Sequence, residues 1–243
     1  MSGVTEGHLL NGRVRYAQPG SGFRTGIEPV LLAATIPARV GQRVLEGGTG
    51  AGAGLLCLVA RLPGILGVGI EIDPGQAGLA RANAASNGMA DLEIVTGDLG
   101  TAVLDGLFDH AFANPPYHPG DGTTSPDRTR ALAKQAEAET LMLWAGALAR
   151  PLRARGTLSL ILPAARLAAC IAAMAAAGCP VEAVFPLWPK AGVQAKLTIV
   201  RGVKAGRGPL RMLPGLVLHE ADGRFTPAAD AVLRSAAALD LGH

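Results

Sequence analysis

A short strand-forming run, Arg43 to Leu45, meets the turn Glu46-Gly47-Gly48-Thr49-Gly50-Ala51-Gly52 and passes straight into the helix-forming segment AGLLCLVARL. A strand that turns tightly over glycine into a helix is the opening unit of a parallel sheet, because parallel strands need a crossover between them. The alternation then repeats. ILGVGIEID predicts a strand, GQAGLARANAASNG a helix ending on Asn87-Gly88, and DLEIVTGD and LFDHAFANPPY two further strands. A loop rich in Gly, Thr, Ser and Pro (120–129) precedes a helix over 132–148. The strand GTLSLIL, a helix over 164–177 and strands over 181–187 and 195–200 follow. This pattern predicts an α/β fold: a doubly wound, seven-stranded, mostly parallel sheet with ligand sites at the carboxyl ends of its strands. The last two strands, joined by WPKAGVQ, form an antiparallel pair at one edge.

The first forty residues differ from this frame. Asn11-Gly12 between short apolar segments predicts a hairpin, and EPVLLAATIPA a short helix. Residues 1–40 are therefore expected to be a β-rich extension packed on a main domain over 41–243, the whole forming one globular unit. Aromatic residues make up only 4% of the chain, so the core must be built from Ala, Leu, Val and Ile.

Apolar runs are interrupted by Gly, Pro or Arg before the roughly 20 residues that a membrane span needs, and no charged, then apolar, leader opens the chain. A cytoplasmic protein without membrane contact is expected; oligomeric state is not legible. The 3 cysteines show no CxxC or His-paired spacing, which predicts buried thiols and no metal. Charge is uneven: residues 1–149 carry 10 Lys and Arg against 14 Asp and Glu, and residues 150–243 carry 12 against 5. A basic second half suits an anionic macromolecule. Lys190, Lys196, Arg201, Lys204 and Arg207, with Arg211 beyond them, form its densest cationic series. These are candidate nucleic-acid phosphate ligands, and a solvated basic face is the alternative.

The glycines of the first turn let backbone approach a ligand closely and leave the amides of a helix N-terminus facing it. The spacing is GxGxG rather than GxGxxG, and Glu46 sits inside the turn, where a dinucleotide pyrophosphate would have to pass. A carboxylate there suits a cationic group, such as the aminoacyl end of S-adenosylmethionine. Glu71 closes the second strand, where an acidic side chain can accept from both ribose hydroxyls, while Asp73 before Pro74 is suited to cap the next helix. Asp98 ends the third strand, placed to accept from an adenine amino group, to cap a helix, or both.

Asn114-Pro115-Pro116-Tyr117 follows the fourth strand. A nucleobase amino group is a weak nucleophile because its lone pair is delocalised into the ring. The Asn114 side-chain oxygen and the Pro115 carbonyl can each accept one amino hydrogen and draw the nitrogen toward tetrahedral geometry. Proline brings no competing N–H and fixes its own φ. Tyr117 offers a stacking face, worth about 1–3 kcal/mol for a base. His110 and His118 flank the motif without a triad partner and are expected to be loop residues. Trp144 is expected in the core; Trp188 suits either stacking on RNA or packing.

Taken together, LEGGTGAG, GIEID, GD and NPPY resemble the amino-methylating class I S-adenosylmethionine-dependent methyltransferases, whose fold is Rossmann-like. GRVRYAQPGSGFRTGIEPVLLAA and LHEADGRFTPAADAVL further resemble the bacterial tRNA(Val) adenine-N(6) methyltransferase family. That resemblance implies that Glu46, Gly48, Gly50 and Gly52 line the methionine end of the cofactor, Glu71 its ribose and Asp98 its adenine. Asn114, Pro115 and Tyr117 would hold the target, which would be adenine N(6) in tRNA. Arg24, Thr25 and Glu28 lie in a segment that folds over the cofactor in the family, which often has Asp at the position of Glu28. A protein glutamine-amide methyltransferase is the main alternative, since a carboxamide poses the same nitrogen problem. A non-catalytic RNA-binding protein of the same fold is the other.

Overall fold

A computed structural model describes residues 3–21, 25–89, 91–116 and 126–242, with 126–137 described by backbone alone. Two strands open it, β1 (Val4–Leu9) and β2 (Val14–Pro19), paired antiparallel from Val4↔Pro19 to Leu9↔Val14. The connection is wider than the two-residue turn expected at Asn11-Gly12. Leu10, Asn11 and Gly12 all take left-handed backbone, with φ of 51°, 54° and 91°. Helix α1 (Glu28–Thr35) follows.

The alternating frame then runs through β3 (Arg43–Gly47), α2 (Ala53–Arg61), β4 (Leu66–Glu71), α3 (Pro74–Ser86), β5 (Leu92–Thr96) and β6 (Phe108–Ala113). After it come α4 (Pro126–Ala149), β7 (Leu152–Pro163), α5 (Leu167–Ala176), β8 (Val181–Lys190), β9 (Leu197–Val203), β10 (Arg211–Met212), β11 (Leu216–His219) and α6 (Pro227–Ser235). Helix α4 begins inside the segment expected to be a loop; residues 120–125 of that segment lie outside the described residues.

The expected seven strands form the sheet path β8-β9-β7-β6-β3-β4-β5, and β10 and β11 extend it along the outer side of β8. β9 is antiparallel to both β7 and β8, and all other pairings in this sheet are parallel. The antiparallel strand thus lies inside the sheet rather than at its margin, because the β8–β9 hairpin folds with β8 outward.

One face of the sheet is covered by α1, α2, α3 and α6, the other by α4 and α5, each with its own aliphatic core. All 3 cysteines are buried in these cores. Among the described residues no helix is long and apolar enough to cross a membrane.

Local chemistry sets the element ends. Asp73 Oδ1 accepts from Gln76 N at 2.9 Å ahead of Pro74, and Thr226 Oγ1 from Ala229 N at 3.2 Å ahead of Pro227. The hairpin is held to the frame in the manner of an extra strand. Asn83 Oδ1 and Nδ2 bond the N–H and C=O of Ala17, and Asn87 does the same for Arg15, each at 2.8–2.9 Å. Two amides one helical turn apart, on the last turn of α3 and at its C-cap, therefore satisfy the outer edge of β2.

Candidate active site

At the carboxyl ends of β3, β4, β5 and β6 lies a cavity of about 750 Å³, within the range typical of small-molecule sites. Gly48, Glu71, Asp98, Asn114 and Pro115 all line it, joined by Gly26, Glu28, Ile72, Leu99 and Trp144. Five sequence segments identified separately thus converge on one space.

The glycine turn takes left-handed backbone at Gly48, Gly50 and Gly52, with φ of 62°, 57° and 93°. At Gly48 a second constraint acts. A Cβ there would stand 2.6 Å from Trp144 Cη2, so the indole of α4 rests directly on the turn. Trp144 is half-buried and forms part of the cavity wall. It packs on the core as expected and also faces the site, which its sequence neighbours concealed.

Glu71, at the end of β4, accepts from Gly50 N at 2.8 Å through Oε2 and from Asp73 N at 2.9 Å through Oε1. The carboxylate locks two loops while each oxygen keeps a further lone pair for a ligand hydroxyl. Asp98 Oδ1 accepts from Gly100 N at 2.7 Å, and its carbonyl accepts from Ala102 N at 2.8 Å. The cap-like role expected of Asp98 is a turn at the cavity wall.

Glu46 is arranged differently from the expectation. It is 5% exposed and lies behind the cavity wall, its Oε2 accepting from Thr49 Oγ1 at 2.5 Å and Leu55 N at 3.1 Å. Burial pushes this carboxyl up to about 8, against the hydrogen bonds from Thr49 and Leu55. It ties the turn to the N-terminus of α2, and a Cβ on Gly54 would collide with Oε1. Among the candidates of the preceding segment, Glu28 lines the cavity.

Thr25 is held from two sides, its hydroxyl bonded to the Tyr16 hydroxyl at 2.6 Å and its N–H donating to Gln18 Oε1 at 3.0 Å. The hairpin thereby anchors the strap that brings Gly26 and Glu28 to the cavity. Arg24 and Tyr117 lie outside the described residues. Asn114 is half-buried and Pro115 buried in the wall.

The basic series is divided. Arg201 is 6% exposed, bonds the Thr35 carbonyl, and is pushed down to about 10 by burial. This corrects the expectation that it contacts RNA: a cation in the middle of an interior strand is out of reach. Lys204 donates to the Ala149 carbonyl at 2.6 Å at the end of α4. β9 runs against its neighbours, so Lys196 before it stands at the cavity end of the sheet, while Lys204 and Arg207 stand at the opposite end. At 3.3 Å per residue the two ends are roughly 25 Å apart. Lys190, at the end of β8, is also on the cavity side. His110 is buried in β6, not in a loop, bonded to Thr157 Oγ1 at 2.8 Å and Gln42 Oε1 at 3.1 Å.

Residues 27–144 match the methyltransferase small domain family. A tRNA1(Val) (adenine(37)-N6)-methyltransferase of Porphyromonas gingivalis is 38% identical over 163 residues, covering 62% of this chain and 62% of that protein. A release factor glutamine methyltransferase of Rhodospirillum rubrum is 44% identical over 80 residues, covering 32% of this chain and 24% of that protein. The crystal structure of a predicted O-methyltransferase from Agrobacterium tumefaciens superimposes with a TM-score of 0.72 at 23% identity, covering 87% of this chain and 98% of that one. The fold is shared with it.

Proposed function

We propose, from the match of residues 27–144 to the methyltransferase small domain family, that the protein is an S-adenosylmethionine-dependent methyltransferase acting on adenine N(6) in tRNA. One observation carries the reading. Asn114 and Pro115 share a single cavity with Gly48, Glu71 and Asp98, so a group that accepts amino hydrogens stands beside groups suited to a nucleoside cofactor.

The residues fit that cofactor. Gly48 and Gly50 would let backbone approach its methionine portion, Glu28 would offer a carboxylate to the ammonium, Glu71 would accept from the ribose and Asp98 from the adenine amino group. Ile72 and Leu99 supply apolar walls for the ring. When bound, S-adenosylmethionine supplies an electrophilic methyl group on a sulfonium. The Asn114 side-chain oxygen and the Pro115 carbonyl accept one hydrogen each from the target amino group, which frees its lone pair from the ring and aims it. Tyr117 follows directly in the chain and would stack on the flipped base. The methylated nitrogen is acidic enough to lose its proton to water, so no general base is needed.

The release factor relative supports a second reading, a glutamine amide as target, because the same hydrogen-accepting pair suits a carboxamide. The likeness is confined to 32% of this chain, whereas that to the tRNA enzyme covers 62%. Replacing Asn114 by Ala tests the catalytic role. It should lower methyl transfer by about 10²–10³-fold, with calorimetric affinity for S-adenosylhomocysteine within about threefold of the parent. Transfer that survives the substitution would remove Asn114 from the mechanism.

A further inference from the structure

β8 and β11 end side by side at the cavity end of the sheet, with Lys190 the register partner of His219 and Trp188 that of Val217. Register partners in parallel strands project from the same face. Earlier on that face Val184 is buried in the core beneath α5, whereas Trp188 is partly exposed and Lys190 exposed. Beyond β11 the chain turns back so that Phe225 stacks on His219, centroids 4.7 Å apart and planes at 23°. This is the ring stack found among the described residues of a chain with 4% aromatics.

The turn is held in place: Lys190 Nζ donates to the Ala221 carbonyl at 2.9 Å, and Glu220 N to the Arg224 carbonyl at 2.8 Å. Lys196, exposed in the β8–β9 connection, adjoins Leu197, which lines the cavity. The charges on the β8–β9 connection and on the turn after β11 are Lys190, Lys196 and Arg224 against Glu220 and Asp222, and Asp222 is bonded to Arg224 at 2.7 Å. All of these residues lie beyond the stretch matched to the methyltransferase small domain.

Resting on the reading of the cavity as an adenine-methylating site, we propose that Lys190, Lys196 and the His219–Phe225 ring pair form the docking surface for the RNA flanking the target adenine. Loop nucleotides are unstacked and stack readily on protein rings, while lysines meet phosphates without reading sequence. Both requirements occur here at the cavity end of the sheet, Lys196 beside cavity-lining Leu197 and the ring pair two strands, about 10 Å, further out. Lys204 and Arg207, at the far end of β9, take no part in holding these nucleotides.

Initial rates with labelled S-adenosylmethionine and total tRNA at a series of salt concentrations test this on the full chain. The Lys190→Ala, Lys196→Ala double variant should raise KM for tRNA about tenfold or more, with kcat and KM for the cofactor unchanged. It should also reduce the slope of log affinity against log salt by about 1.4–1.8, at 0.7–0.9 per phosphate contact. His219→Ala should raise KM for tRNA and leave the salt slope as it was. Arg39→Ala, an exposed cation before β3 at the opposite end, serves as the charge control and should change neither. Lys196→Ala alone carries the test if Lys190→Ala loosens the turn, with a slope reduction of about 0.7–0.9. Folded variants with parental KM and salt slope would overturn the proposal, as would an Arg39→Ala effect of equal size. Wild-type protein that binds S-adenosylhomocysteine yet labels only polypeptide would overturn both this surface and the tRNA reading.

Discussion

The two ends of the central sheet treat polar groups in opposite ways. At the amino end, Asp109 is 3% exposed and accepts from Gln42 Nε2 at 3.1 Å, Arg43 N at 2.9 Å and Arg153 at 2.6 Å. Gln42 Oε1 also accepts from Arg39 N at 2.8 Å, and the His110 ring bridges that oxygen to Thr157. Because the Gln42 oxygen can only accept, His110 carries its proton on Nε2 and accepts from Thr157 at Nδ1. That circuit closes within the protein. At the carboxyl end, Gly48 in left-handed backbone, Asp98 and Glu28 line a cavity. A sheet of uniform backbone thus has one end sealed for stability and one open for a ligand, which is where parallel sheets bind.

The sharpest way to break this contrast is at the sealed end. Asp109→Ala leaves Gln42 and Arg43 N without their acceptor and should destabilise by about 3 kcal/mol, read by urea unfolding. Affinity of the folded fraction for S-adenosylhomocysteine should not change. Next, Gly48→Ala puts a Cβ into Trp144 at a φ of 62°. It should cost about 2 kcal/mol of stability, and it should weaken cofactor affinity as well. Loss of affinity at Asp109→Ala, or none at Gly48→Ala, would erase the distinction between the ends.

Per pH unit, smaller effects come from two buried groups with opposite pH signatures. Burial pushes His110 down to about 4, so between about 4 and its ordinary value of 6.5 the unfolded chain binds the extra proton, and stability falls as pH falls. Glu46 is pushed up to about 8, so between its ordinary value of 4.5 and about 8 the folded chain holds the extra proton, and stability falls as pH rises. Each slope is at most about 1.4 kcal/mol per pH unit. His110→Gln should flatten the acidic limb of a stability-versus-pH curve, and Glu46→Gln the limb approaching pH 8. A single variant that flattened both limbs would contradict the separate assignments.

Much of the open end was legible in the sequence because its signals are local. Glycine spacing, an acidic residue closing a strand and the Asn-Pro-Pro run each act through neighbours in the chain, and they single out Glu71, Asp98, Asn114 and Pro115, which the structure brings to one cavity. What escaped depends on partners remote in sequence. Glu46 turns inward because Leu55 N and Thr49 satisfy it there. Arg201 is buried because the Thr35 carbonyl of α1 meets it, although the surrounding run LTIVRGV already hinted at an interior strand. Trp144 follows Met142 and Leu143, which are apolar yet exposed, so helical period does not say which face it takes. The Asn83 and Asn87 amides are ordinary helix residues until β2 is laid beside them.

Methyl transfer to an adenine amino group in tRNA is tested by one incubation: purified protein, labelled S-adenosylmethionine, and separate samples of total tRNA, DNA and cell protein, followed by nucleoside and peptide analysis. Label is expected in N(6)-methyladenosine from tRNA. Label confined to glutamine in protein, or to neither nucleic acid nor protein, would contradict it.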